Sequence, residues 1–334
     1  MLDIKTVKLR SEKEIIASWN DKETVAVSVI CATYNHELYI EDAITGFLMQ
    51  ETDFAFEVII HDDASKDRTA KIVKEYQLKY PKIIKPIYQT ENQYSKGNFK
   101  PGFYMTSFAK GEFLAWCEGD DYWCDKNKLN LQVDLLKEYP NVNLCIHDGH
   151  IIEFEELSNK HSFPKRGNKI QLIEYIQLYK TAGQFSPTAS LMVRTIILKN
   201  IPSFIYAAPI GDFFIEALSG RQGVLYLPAK MSVYRKCVEG SWSSILLSHI
   251  DHKINFNLKM LDSLLELSSY LSDTESKYVV YKIQFVYFQL SLLYIQKHSF
   301  MKAIVYQLKS LKGSLYVKKH IKFIIELLKF FKKS

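Results

Sequence analysis

Between Val25 and Trp116 the chain alternates strand-like and helix-like stretches, and that alternation leaves few architectures open. Val25 to Ala32 is β-branched at Val25, Val27, Val29 and Ile30. Tyr39 to Gln50 then places apolar residues at Ile40, Ala43, Ile44, Phe47 and Leu48, the spacing of an amphipathic helix. Glu57 to His61 is a second strand-like run. Thr69 to Tyr80 repeats the helical period with Ile72, Val73, Tyr76 and Leu78, until Pro81 stops it. Phe113 to Trp116 is a third apolar run of strand length. Strands alternating with helices build a parallel α/β sheet, and such sheets bind ligands outside the carboxyl ends of their strands.

Each of those ends is polar. The first strand stops at Thr33-Tyr34-Asn35-His36, and the second at Asp62-Asp63-Ala64-Ser65-Lys66-Asp67. The third runs into Cys117-Glu118-Gly119-Asp120-Asp121, with three carboxylates in four positions around a glycine. Clustered carboxylates raise one another's pKa and repel unless something positive sits between them. A divalent metal shared with ligand phosphates is the usual solution. A solvated acidic turn is the plain alternative, and that segment alone does not choose between them. Three polar clusters on one sheet edge favour the ligand site.

The segments Val27-Ser28-Val29-Ile30-Cys31-Ala32-Thr33-Tyr34-Asn35, Val58-Ile59-Ile60-His61-Asp62-Asp63-Ala64-Ser65-Lys66-Asp67 and Glu118-Gly119-Asp120-Asp121-Tyr122-Trp123 resemble the three signatures of family 2 glycosyltransferases. The resemblance runs from about Val25 to about Ser244, and the last segment is especially similar to bacterial enzymes that build surface polysaccharides. It implies an α/β fold of the GT-A type: a Rossmann-like, mostly parallel sheet flanked by helices, with an acceptor-binding half. It implies donor contacts at Ala32 and Tyr34, the latter beside the base, and at Asp63, which binds base or ribose. Asp62, Ser65 and Asp67 also suit a capped turn into the helix at Thr69. The loop from Asn92 to Asn98 lies where the family frames the donor. Asp121 is expected to coordinate Mn²⁺ or Mg²⁺ and Asp120 to reach the ribose or donor sugar, with Glu118 supporting the metal ligand. Such an ion offsets the charge that develops as the sugar–phosphate bond breaks. Tyr122 and Trp123 are expected to pack beneath the loop.

Further along, Ser186 to Arg194 resembles the family's passage into the acceptor half. Pro209-Ile210-Gly211-Asp212 opens an apolar helical run, and on its own Asp212 reads as a helix N-cap. The family's catalytic base is an aspartate in this context. The resemblance therefore implies that Asp212 takes the acceptor hydroxyl's proton in an inverting transfer. Val233 to Ser243 resembles the loop that closes over the diphosphate, which makes Arg235 and Lys236 donor-binding candidates. Cys237 stands at the family's histidine position. A thiol suits a hard, oxygen-ligated ion poorly, so Cys237 is not expected to bind the metal and strong metal dependence is less firmly implied.

A chain of 334 residues has ample length for a core. The expected organisation is a helical preface (1–24), a GT-A domain (25–245, with donor half 25–125 and acceptor half 126–245) and a basic helical region (246–334). Ser11 to Glu14 reads as a capping box opening a helix that runs through Trp19. Met1 to Lys22 is charged and lacks the apolar core of a secretory signal. The five cysteines form no Cys-x-x-Cys pair and read as reduced core thiols. His147 and His150 flank Asp148 at what reads as a strand end beside the acceptor site.

From Lys297 to Ser334 there are ten lysines against Glu326, a net +9 within an overall +6. The basic residues accompany Phe, Ile and Leu on helical stretches with no recognition motif, so nucleic acid is not an expected partner. The chain from about His249 onward has helical periodicity and no proline. No run reaches about 18 uninterrupted apolar residues, so no spanning helix is expected. In Tyr316 to Lys333, lysines line one face and Ile321, Ile324, Leu328 and Phe331 the other. That helix suits either docking on its neighbours or lying on an anionic inner leaflet.

Together these features predict a glycosyltransferase that moves a sugar from a nucleoside-diphosphate sugar, UDP-linked by expectation, to a hydroxyl of a glycan or lipid-linked glycan acceptor in bacterial surface polysaccharide or lipooligosaccharide synthesis. The expected location is cytoplasmic, with peripheral attachment to the inner face of the membrane as a variant. The alternative is a non-catalytic nucleotide- or glycan-binding subunit of an assembly complex. A two-carboxylate glycosidase has no use for Tyr34, Asp63 and a basic diphosphate loop. A dinucleotide oxidoreductase is not expected, because no Gly-x-Gly-x-x-Gly follows a strand.

Overall fold

The computed structural model describes residues 3–97, 99–153, 156–157, 163–236, 249–311 and 323–325. They fall into two compact units. The first comprises the chain through Leu178, Gln184–Tyr206 and Gly211–Lys236; the second comprises Tyr179–Gly183, Ala207–Ile210 and the chain from Cys237.

Through Lys236 the elements are α1 (Glu12–Ala17), β1 (Asp21–Thr33), α2 (Ile40–Leu48), β2 (Phe54–Asp62), α3 (Thr69–Lys79), β3 (Ile84–Tyr88), α4 (Pro101–Thr106), β4 (Phe113–Trp116), β5 (Tyr122–Trp123), α5 (Lys128–Glu138), β6 (Leu144–Glu153), β7 (Glu156–Leu157), β8 (Gln171–Ile173), α6 (Tyr175–Lys180), β9 (Met192–Arg194), α7 (Thr195–Leu198), α8 (Phe204–Ala207), α9 (Asp212–Ser219) and β10 (Val224–Lys236). The strands make one sheet ordered β3-β2-β1-β4-β9-β6-β10-β5, with β7 beside β6 and β8 beside β10. The pairings of β1 with β2 and β4, of β2 with β3 and of β6 with β10 are parallel. The short strand β9 enters antiparallel between β4 and β6, and β5 and β8 add antiparallel edges to β10. The long ladders are thus parallel, as the sequence predicts, while the short strands make the sheet mixed.

The first strand begins at Asp21, earlier than its apolar pattern shows. Register shifts between Asp21 and Val27 let the polar start pair with β2, and Asp21 Oδ1 accepts the N–H groups of Glu23 and Thr24. The stretch expected as a separate preface is built into the first unit, where Ile15 and Trp19 join the same core as β1, β2 and α2. The Ser11–Glu14 capping box forms as predicted. Trp123 is wholly buried: its Nε1 donates to Ala189 O at 2.9 Å and its ring meets Phe47 edge-on at 4.9 Å. Tyr122 is buried too, so both aromatics pack beneath the acidic turn. Cys31, Cys117 and Cys145 are buried thiols and Cys124 is half-buried, all unbridged.

One local expectation is corrected. His147, Asp148 and His150 lie inside β6, not at a strand end, because β10 pairs alongside that strand as far as Glu153. That pairing slips around Pro228, which has no N–H to give the ladder.

The second unit is led by α10 (Ile250–Tyr270), α11 (Asp273–Gln296) and α12 (Phe300–Leu311). Its helices fit the predicted helical character from His249. A capping box, Ser272 with Glu275, starts α11. By length and mean hydropathy α11 is long and apolar enough to cross a membrane, which the count of uninterrupted apolar residues missed. More than half of its apolar window is buried, and its interior side carries Lys282, whose Nζ donates to the carbonyls of Thr181 and Gly183. Those features are also those of a core helix. The diphosphate-loop residues from Cys237 to Ser243 lie outside the described residues, as does all of the predicted helix from Tyr316 to Lys333 apart from residues 323–325.

Candidate functional site

The carboxyl ends of β1, β2 and β4 are laced together. Thr33 O accepts from Asp63 N at 3.0 Å, and Ala32 O accepts from Gly119 N at 2.9 Å. Asn35, in the left-handed region at φ 55°, accepts from Lys66 N through Oδ1, while its own N–H donates to Ser65 Oγ. His36 N donates to Thr69 Oγ1, and Glu37 N to Asp67 Oδ2. Asp62 Oδ2 accepts from Ser65 N. Asp62, Ser65 and Asp67 therefore form the expected turn and tie it to the first loop, while the N-cap of α3 is Arg68, which makes no side-chain cap bond.

Against this frame the chain at Gly119 passes very close. A Cβ there would lie 2.7 Å from Thr33 Oγ1 and 3.0 Å from His36 Nδ1. Those same two atoms, with Asp62 Oδ1, are buried and have no hydrogen-bond partner among the described residues. Buried polar atoms are nearly always paired, so three unpaired ones at the ends of β1 and β2 suit a polar ligand.

Three carboxylates follow β4, at Glu118, Asp120 and Asp121. Asp121 is 2 % exposed, and its pKa is driven well above the carboxylate range by burial, then by Asp120 and Glu118. Arg235 N donates to Asp121 Oδ1 at 2.8 Å, which pulls the other way. Glu118 is pushed up, to about 8, by the protein packed around it and then by Asp120 and Asp212. Its side chain still reaches solvent, so water screens part of that push. The start of α9 is near enough for Asp212 to add to the repulsion that Glu118 feels. Asp212 does not cap its helix. Gly211 occupies the N-cap position; Asp212 Oδ1 accepts from the adjoining Phe213 N, and Oδ2 accepts from Gln184 Nε2 at 3.5 Å.

The remaining predicted residues make the following contacts. Asp63 is 3 % exposed, and its two oxygens accept from Gln93 N (2.8 Å) and Tyr94 N (3.0 Å), holding the predicted donor-framing loop. Tyr34 is half-buried at the end of β1. Arg235 donates through Nη1 to Asp120 O at 2.8 Å and through Nη2 to Asp42, and lies over the rings of Tyr122 and Tyr39. Lys236 pairs with Glu153 at 2.8 Å. The sequence reading missed Asp42, Tyr39 and Glu153. Asp42 and Tyr39 looked like ordinary helix residues, and nothing local links them to a strand almost two hundred positions away.

Among the described residues, no three His, Cys, Asp or Glu side chains group to hold a metal by themselves. Mg²⁺-like ions need only one or two carboxylates when ligand phosphates complete the shell. Asp121 with Asp120 offers hard oxygen donors of that kind, and their mutual repulsion is what a cation would relieve. The residues fit the ion.

The pattern of glycosyl transferase family 2 matches residues 28–200. An uncharacterized protein of Mycobacterium bovis is 37% identical over 220 residues, 65% of this chain and 61% of the relative. A UDP-Glc:α-D-GlcNAc-diphosphoundecaprenol β-1,3-glucosyltransferase of Escherichia coli is 29% identical over 157 residues, 47% of this chain and 56% of the relative. The chain thus spans less than two thirds of the length of either. Among solved structures, Staphylococcus aureus TarS 1–349 with UDP-GlcNAc is 18% identical, with a TM-score of 0.56 over 87% of this chain and 93% of that one, a likeness of fold. With a family pattern covering half the chain, laid over strand ends that gather Asp63, Asp120 and Asp121, the protein belongs to glycosyl transferase family 2 and has the GT-A fold.

Proposed function

We propose that this chain is an inverting glycosyltransferase that moves a sugar from a UDP-linked donor to a hydroxyl of a bacterial surface glycan, carried on a lipid diphosphate. The observation that carries the reading is the Asp120–Asp121 acidic turn beside the buried, unpaired polar atoms of Thr33, His36 and Asp62, with Asp212 at the first turn of α9 near enough to act on Glu118 electrostatically. A donor-side acidic pair and a separate carboxylate at a helix start are the two parts such a transfer needs. The E. coli relative, which uses UDP-Glc and a diphosphoundecaprenol acceptor by its name, supports the donor and acceptor classes.

In this reading the nucleoside diphosphate occupies the ends of β1 and β2, against Tyr34 and the unpaired Thr33, His36 and Asp62 atoms. Asp121, with Asp120 beside it, would hold a divalent ion, which when bound would supply positive charge to the leaving diphosphate. Asp212 accepts the proton of the acceptor hydroxyl while that oxygen bonds to the anomeric carbon. The sugar–phosphate bond breaks on the opposite face, so configuration inverts. Arg235 fixes the acidic turn from behind through Asp120 O and the Asp121 carboxylate.

Calorimetric titration of UDP and GDP, with and without Mn²⁺, against wild type and Asp121→Ala tests this. UDP binding that needs Mn²⁺ and disappears in the variant supports the reading. Binding of GDP alone would reassign the donor, and no nucleotide binding under any condition would favour the non-catalytic alternative.

A further inference from the structure

Helix α12 faces inward with its small and polar residues. Ala303, Gln307 and Ser310 are buried, and Ser291 of α11 donates to Gln307 Oε1 at 3.0 Å. Outward it shows Met301, Ile304, Val305, Leu308 and Leu311, between 38% and 77% exposed. Spacings of three and four residues make these one continuous stripe. A helix of a globular unit ordinarily does the reverse, so such a stripe marks a surface that something covers. At its edge the rings of Tyr294 and Tyr306 stack at 5.4 Å. Lys302 Nζ lies 5.4 Å from the Tyr294 ring, and Lys309 Nζ lies 5.5 Å from that of Tyr306. With Met301 and Val305 these four side chains line a shallow recess of about 260 Å³ within α11 and α12. Asp262 of α10 is close enough to help raise the Tyr306 phenol, after burial and the neighbouring tyrosines.

We propose that α12 lies in the headgroup layer of an anionic lipid bilayer, with its apolar stripe toward the acyl chains and a lipid phosphate received by Lys302 and Lys309 at the tyrosine recess. Charge selects this occupant. The helix has two lysines and no acidic residue, and a second copy of the chain would set that pair against its own kind. The segment after Leu311 adds seven lysines and only Glu326, the same sign again. An anionic leaflet supplies the opposite charge. Tyrosine suits the boundary between polar and apolar layers, and lysine can run its stem along the stripe while its amine reaches phosphate. This inference concerns the helical unit alone and does not rest on the donor-site reading.

Flotation of the full chain with phosphatidylcholine vesicles, with and without phosphatidylglycerol, tests it. Wild type should float with the anionic vesicles only, and high salt should weaken that binding. Ile304→Asn/Leu308→Asn and Lys302→Gln/Lys309→Gln should each lower vesicle binding about tenfold or more, with helical content and thermal unfolding midpoint unchanged. Wild type that does not float overturns the proposal, as do variants that float like wild type. A wild-type dimer that Ile304→Asn/Leu308→Asn dissociates would assign the stripe to a second copy, which also overturns it.

Discussion

The backbone N–H of Arg235 donates to Oδ1 of Asp121 at 2.8 Å, while the guanidinium of the same residue holds Asp120 O and Asp42. One residue on β10 therefore ties the acidic turn to α2. Arg235→Ala keeps the backbone bond but strips a partner from Asp42, whose carboxyl burial already pushes up. The variant should lose about 2–3 kcal/mol in urea unfolding. In a double-mutant cycle with Asp42→Asn the coupling should be about 1–3 kcal/mol. A coupling near zero would mean the pair is only a surface contact.

Asp212→Asn removes the proposed base while leaving its shape. Turnover should fall about 100- to 10,000-fold, with UDP affinity unchanged. Rapid-quench transfer assays beside calorimetry separate the two; a variant that transfers at the wild-type rate removes Asp212 from the chemistry.

Gly119→Ala places a methyl 2.7 Å from Thr33 Oγ1, 2.8 Å from Thr33 Cβ and 3.0 Å from His36 Nδ1, so something must shift. It should cost about 1–3 kcal/mol of stability and weaken nucleotide binding at least in proportion. Thermal unfolding together with UDP titration reads both effects.

Lys128 is wholly buried, with its amine 2.7 Å from Gln132 Oε1 and 3.9 Å from the Trp123 ring centre. Burial pushes its pKa down from 10.5 to about 7. Between those values the unfolded chain holds the proton and the folded one does not. This residue therefore adds stability as pH rises through that window, and its burial cost is largest below pH 7. Lys128→Met should flatten the rise in unfolding free energy from pH 7 to 9 by about 1 kcal/mol per pH unit. Parallel curves for the two proteins would show that Lys128 stays charged when folded.

The strand ends were legible because each is a contiguous apolar run closing on a polar cluster, and Asp120, Asp121 and Asp63 sit inside those runs. Relationships across the chain were not. Nothing near Asp42 signals Arg235, and nothing near Lys236 signals Glu153, since both pairs depend on where the long strand β10 lies in the sheet. His147 looked like the end of a strand because the pattern of β6 turns polar at Asp148, yet backbone pairing with β10 carries the strand on regardless of side chain. The start of β1 was hidden for the same reason, its polar residues paired through a bulge. The burial of Lys128 depends on Trp123 and Gln132 around it, and no reading of the sequence singled it out. The inverted face of α12 has an amphipathic period, but period alone does not say which side is covered.

The carboxylate of Asp63 has about four lone-pair sites, and the N–H groups of Gln93 and Tyr94 occupy two of them. Those bonds work as a jig. If the proposed donor reaches the remaining sites, its ribose hydroxyl or base N–H would meet an acceptor whose rotamer entropy has already been lost in folding. The selectivity of such a contact comes from rigidity: a group displaced by a fraction of an ångström finds no side chain able to follow it.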